Sequence, residues 1–137
     1  PVTSRANQQR DRAIHWRSEK MPIKRIQVGD RMSQAVVHGD LVYTAGQVAR
    51  DAPGESAANQ TKCILNQIDA LLQEAGTDKS RLISATIWLS DMATFAEMNE
   101  VWDAWVTPGQ SPARACVEAK LAAPQFTVEI AIIAAVS

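Results

Sequence analysis

Residues 128–136 read Val-Glu-Ile-Ala-Ile-Ile-Ala-Ala-Val, and apart from Glu129 the run is apolar at odd and even positions alike. A half-exposed strand alternates between apolar and polar residues, whereas a continuous apolar run is typical of a strand covered on both faces. The fold must therefore put one layer above this strand and another below it. With 137 residues the chain suffices for one ordinary domain and not for two. Hydrophobic residues at 46% and charged residues at 21% are globular proportions, which argues against a disordered chain.

The punctuation along the sequence supplies the other elements. Residues 23–28 alternate and read as a strand. Residues 33–38 and 41–48 are two β-rich runs parted by Gly39-Asp40, and glycine at the first place of a two-residue loop predicts an antiparallel type II′ hairpin. From Ser56 to Ala75, Thr61, Ile64, Leu65, Ile68, Leu71 and Leu72 recur at helical spacing, and Gly76 stands where a helix-stopping glycine belongs. Residues 82–89 return to β-type residues. Thr94 and Glu97 form a capping-box pattern ahead of a helix whose Phe95, Met98, Val101, Trp102 and Trp105 share a face and read as core. That helix must stop by Thr107, which precedes Pro108. Strands over 113–119 and 127–136 complete the order β-β-β-α-β-α-β-β. The expected fold is α+β, with two helices on one face of a mixed sheet. The second face of the last strand then needs a cover from outside the chain, which implies an obligate oligomer with its sheets packed together.

Several function classes are excluded by what the sequence does not carry. No apolar run approaches the roughly 20 residues of a membrane helix, and no secretory pattern opens the chain. Cys63 and Cys116 stand 53 positions apart, and His15 and His38 are isolated, so no metal-ligand spacing exists. No metal and no cofactor are expected, and a reducing cytoplasm is the expected compartment. Residues 1–20 hold Arg5, Arg10, Arg12, Arg17 and Lys20 against Asp11 and Glu19, a net of +3, while residues 21–137 carry a net of −4. The first twenty residues read as a polar, basic, solvated extension, with Met21 as the expected natural start of one domain over 21–137. An acidic body is a poor surface for phosphates, so nucleic acid is not the expected partner.

Chemistry is concentrated in the last two strands. Arg114 and Cys116 are two apart and share a strand face. Glu129 interrupts the apolar strand and needs water or a partner, because a lone buried charge costs several kcal/mol. If the two strands are neighbours, Arg114 and Glu129 meet in one pocket. On pattern alone a strand arginine is usually a surface or ion-pair residue, and Cys116 is usually a small buried hydrophobe with no histidine nearby to activate it. Read from the residues, the site is one guanidinium, one carboxylate and one thiol, fit for holding a carboxylate and a water.

The stretch Pro112-Ala-Arg-Ala-Cys-Val-Glu-Ala119, with Val128-Glu129-Ile130 after it, resembles the signature of the Rid (YjgF-type) family, the reactive-intermediate deaminases. Gln34-Ala35, Thr44-Ala-Gly-Gln47, Asp91, Phe95 and Asn99 extend the resemblance, which runs from about Ile23 to the C-terminus. It implies a chorismate-mutase-like α+β fold assembled as a homotrimer, with sites in the clefts between subunits. It further implies cofactor-free hydrolysis of 2-imino and 2-enamino acids to 2-oxo acids and ammonia. By position Arg114 would clamp the substrate carboxylate, Gly46 would line the pocket with its backbone, and Cys116 and Glu129 would surround the reacting centre. Two departures bear on the substrate. Met32 stands where the best-known deaminases of the family place a tyrosine, and Ala45 where they place a serine before the glycine, so the pocket is more apolar. An alternative reading is therefore a non-catalytic, regulatory binder of small carboxylates such as 2-oxo acids. RNA cleavage, attributed to some relatives, conflicts with the acidic body.

Overall fold

A computed structural model describes residues 22–137; the basic extension and Met21 lie outside the described residues. Strands β1 (Ile23–Val28), β2 (Ser33–His38), β3 (Leu41–Thr44) and β4 (Gln47–Val48) come first. Helix α1 (Ala57–Glu74), β5 (Leu82–Leu89), helix α2 (Phe95–Trp105), β6 (Ala113–Glu118) and β7 (Val128–Ala135) follow. The sheet runs β1-β2-β3-β7-β5-β6, with β4 also paired to β7. Pairing is antiparallel except between β5 and β6, so the sheet is mixed. No helix among the described residues is long and apolar enough to cross a membrane.

Local chemistry accounts for the element ends. Gly39 has φ +61°, as the first residue of a II′ turn requires, and His38 faces Leu41 across the hairpin. Ser56 caps α1 by accepting a hydrogen bond from the Asn59 N–H at 3.1 Å. At the other end Gly76 takes φ +85°, Thr77 N–H reaches Leu72 O at 2.9 Å and Gly76 N–H reaches Gln73 O at 3.0 Å. This pair of bonds is a Schellman stop, which glycine adopts without steric cost.

Two local expectations fail. The Thr94–Glu97 capping box does not form, because the chain enters α2 through a 3-10 turn over Met92–Thr94. Asp91 caps that turn by accepting from Ala93 N–H at 2.9 Å, and the Thr94 hydroxyl donates backwards to Asp91 O at 2.8 Å. The run 41–48 is not one strand either. It breaks at Ala45-Gly46, where Ala45 N–H still reaches Gln34 O at 2.8 Å before the chain moves over to pair only with β7.

Both helices cover the same sheet face. Ile64, Leu65, Ile68, Leu71 and Leu72 of α1 and Met98, Trp102 and Trp105 of α2 are buried with Val128, Ile130, Ile132 and Ala134 of β7. The Trp105 indole donates to both Asp69 carboxylate oxygens at 3.1 Å, which ties α2 to α1. The opposite face of β7, with Glu129, Ala131 and Ile133, is only half-buried, and Tyr43 and Val117 on that face are 42% and 48% exposed. The strand is thus dry on one side and open on the other within one chain. Ile130 is fully buried in the central strand, so Ile130→Ala is expected to lower unfolding free energy by about 2–5 kcal/mol in urea titrations followed by circular dichroism.

Candidate functional site

The sheet divides the expected site residues into two groups. Strand β5 lies between β6 and β7, so Arg114 and Glu129 are not on neighbouring strands. Ala85 pairs with Arg114 and Ile87 with Cys116, whereas Trp88 pairs with both Val117 and Glu129. Ala85 and Ile87 are buried beneath the helices, so alternation puts Arg114 and Cys116 on the helix-covered face and Glu129 on the open face. Arg114 and Cys116 do share a face, but the pocket joining Arg114 to Glu129 does not form within one chain.

Arg114 projects from the edge strand against α2. Its Nη1 donates to Asn99 Oδ1 at 2.8 Å, and its guanidinium carbon lies 5.4 Å from the Trp102 ring centroid and 5.8 Å from that of Phe95. Phe95, Asn99 and Trp102 are spaced i, i+4 and i+7, so a single helix face forms this cradle. Two aromatic faces and a neutral amide hold the cation's direction without neutralising its charge, and each ring contributes about 0.5–1 kcal/mol at an exposed site. Among the described residues no carboxylate pairs with Arg114, so its remaining N–H groups are open to a guest anion. Trp102 was expected only as core; the helical spacing that marked it as core also carried its second role.

Cys116 is half-buried beside this cation. Burial pushes its thiol pKa up, and the nearby Arg114 charge offsets part of that rise. The sulfur is therefore a thiol at neutral pH rather than a ready nucleophile. Glu118, on the same face, accepts a hydrogen bond from Met92 N–H at 3.0 Å and supports the turn that leads into α2.

The second group lies where the sheet splits. A Cβ built on Gly46 would come within 2.3 Å of Glu129 Oε2 and 2.9 Å of its Cδ. The carboxylate of Glu129 therefore rests directly over the bare Gly46 backbone, and any side chain there would displace it. Ala45 is half-buried and adds only a methyl, while Met32 is 46% exposed in the loop between β1 and β2. The structure thus brings Gly46, Ala45 and Glu129 together, with Met32 in the adjoining loop, and sets Arg114 and Cys116 apart from them.

The sequence profile described as endoribonuclease L-PSP matches residues 22–136. The chain belongs to this family, known also by the names YjgF and RutC. A RutC family protein of Haemophilus influenzae is 46% identical over 114 residues, which span 83% of this chain and 98% of that protein. The RutC family protein YoaB of Escherichia coli K12 is 44% identical over 116 residues, spanning 85% of this chain and all of that protein. Among solved structures, a YjgF family member from Neisseria meningitidis superposes with a TM-score of 0.81 at 49% identity, covering 84% of this chain and 95% of its own. The α+β fold expected from the family signature is therefore the fold observed.

The protonated thiol gives a direct check. In a Cys63→Ser background, iodoacetamide labelling of Cys116 followed by mass spectrometry is expected to be slow at neutral pH. It should accelerate only above the ordinary thiol range, because burial has raised the pKa. Arg114→Ala should slow it further at any given pH, since the cation that favours the thiolate is gone. Rapid labelling at pH 7 would contradict this account.

Proposed function

We propose that the protein hydrolyses 2-imino and 2-enamino acids to 2-oxo acids and ammonia, in sites assembled between copies of a homotrimer. The observation that carries the reading is the state of Arg114: a guanidinium oriented by Asn99, Phe95 and Trp102, with no carboxylate paired to it among the described residues. A planar guanidinium binds a carboxylate through two parallel charge-assisted hydrogen bonds, which fixes orientation as well as affinity. The membership of the family and its Arg114, Cys116 and Glu129 pattern support the choice of an imino acid over other carboxylates.

The chemistry asks little of the protein. An iminium carbon is already electrophilic. Glu129 orients a water and takes its proton as the oxygen bonds to that carbon, a contribution of about 10²–10⁴-fold. The proton then returns to nitrogen, ammonia leaves as the hydroxyl oxygen closes the C=O bond, and that hydroxyl's proton passes to Glu129. Holding substrate and water in register contributes the rest. The Cys116 thiol, kept protonated, packs against the substrate rather than attacking it.

Separation of Arg114 and Glu129 onto opposite faces supports an inter-subunit site. One copy offers Arg114 from its edge strand, and the next offers Glu129 and Gly46 from its open face. The same contact covers the half-exposed side of β7, so assembly and site formation are one event. Light scattering should give about three times the 14.9 kDa chain mass.

The test generates imines with an amino-acid oxidase and lets semicarbazide compete for them. Wild-type protein should suppress semicarbazone formation, and Arg114→Ala should lower that effect by about 100-fold or more, the loss of two charge-assisted bonds. Arg114-dependent binding of 2-oxobutyrate without imine turnover would instead establish a carboxylate binder. A second experiment addresses the assembly. Arg114→Ala and Glu129→Gln chains, each inactive alone, are unfolded and refolded together in equal amounts. Mixed trimers then contain one intact site in three, and about a quarter of wild-type activity should return. No recovery, while wild-type chains refolded in parallel regain activity, would overturn the inter-subunit site.

A further inference from the structure

Gln47 is 2% exposed, and a buried primary amide is costly unless each of its polar atoms is satisfied. It belongs to a relay of three glutamines whose direction is set by backbone groups of fixed polarity. Arg50 N–H can only donate, and it does so to Gln67 Oε1 at 3.2 Å, with the Cys63 thiol donating to the same oxygen at 3.4 Å. Gln67 Nε2 must then be the donor to Val48 O at 2.9 Å and to Gln47 Oε1 at 3.2 Å. Gln47 Nε2 in turn donates to Ala45 O at 3.2 Å and to Gln34 Oε1 at 2.9 Å. No amide in the series can flip without setting two acceptors or two donors against each other.

The relay ends on Gln34. Its oxygen is used, so it presents its NH₂ group outward. Thr127 Oγ1 is the one orphaned buried side-chain polar atom among the described residues, so Gln34 Nε2, which has no partner there, is open to solvent. Gln34 lines a hollow of about 800 Å³ together with Asp30, Arg31, Met32 and Arg50. Two guanidinium-bearing residues outweigh one carboxylate there, and among the described residues neither arginine has an ion pair. Met32 contributes an apolar wall.

This hollow adjoins the proposed reaction centre. Ala45 N–H is bonded to Gln34 O at 2.8 Å, and the next residue is the Gly46 over which Glu129 lies. We propose that the hollow receives the substrate side chain, and that Gln34, with Arg31 and Arg50, selects 2-imino acids ending in a second carboxylate. The proposal rests on the deaminase reading and adds the substrate class to it.

The experiment compares kcat/KM for 2-iminoglutarate and 2-iminobutyrate, formed in situ from the amino acids by oxidases, with semicarbazide as competitor. Gln34→Glu keeps an acceptor oxygen for Gln47 Nε2 and replaces only the outward NH₂ by an anionic oxygen. It should lower the dicarboxylate-to-monocarboxylate ratio by at least about tenfold, and Arg50→Met should lower it in the same direction. A ratio that stays within about twofold of wild type in both variants overturns the selection while leaving the deaminase reading intact. Calorimetry with 2-oxoglutarate and 2-oxobutyrate separates the remaining outcomes. Binding of 2-oxoglutarate that depends on Gln34 and Arg50, without turnover of either imine, supports the pocket and removes the deaminase reading. Absence of both turnover and binding overturns the two together.

Discussion

Strand β7 is apolar on both faces while the two α-helices among the described residues lie on one of them, and most of what distinguishes this molecule follows from that mismatch. The covered face is an ordinary packed core, closed by α1 and α2 and tied by the Trp105–Asp69 hydrogen bonds. Among the described residues no further helix covers the open face. Its residues are neither polar enough to be a solvated surface nor dry enough to be finished core. The proposed homotrimer would cover it with a second copy of the same sheet, an apolar surface of like kind.

That division also decides where chemistry can sit. A carboxylate is tolerated on the open face of β7 because the glycine backbone beneath it leaves space for it. A guanidinium is tolerated on the other face because aromatic rings and an amide hold it at the sheet edge without burying it. Had Arg114 and Glu129 faced each other in one chain, they would have formed an ion pair, and the cation would have been spent on an internal anion. Keeping them on opposite faces leaves each available to a third party. The glutamine relay applies the same principle to neutral groups: every amide inside is satisfied, and the one remaining donor faces outward.

Relatives in this family carry names as different as endoribonuclease L-PSP and putative translation initiation inhibitor. A shared fold of this size hosts several chemistries, so the names of relatives weigh less than the residues of the site. Residues 21–137 carry a net of −4, a poor balance for neutralising a phosphate backbone.

Much of the architecture was written locally. The Gly39 hairpin, the Ser56 and Gly76 ends of α1, the Met98-Trp102-Trp105 stripe and the doubly apolar last strand each follow from a few adjacent residues, because caps, turns and periodicity act over one or two turns of chain. The residue types of the candidate site, Arg114, Cys116 and Glu129, were legible for the same reason, as charges or a thiol in an apolar context. What tertiary structure alone decided was adjacency. The insertion of β5 between β6 and β7, the break of 41–48 at Gly46, and the meeting of Gln67 with Gln47 join residues far apart in the chain. Such meetings depend on strand order and register, and these are settled by how all the elements share one core rather than by any segment's own preference.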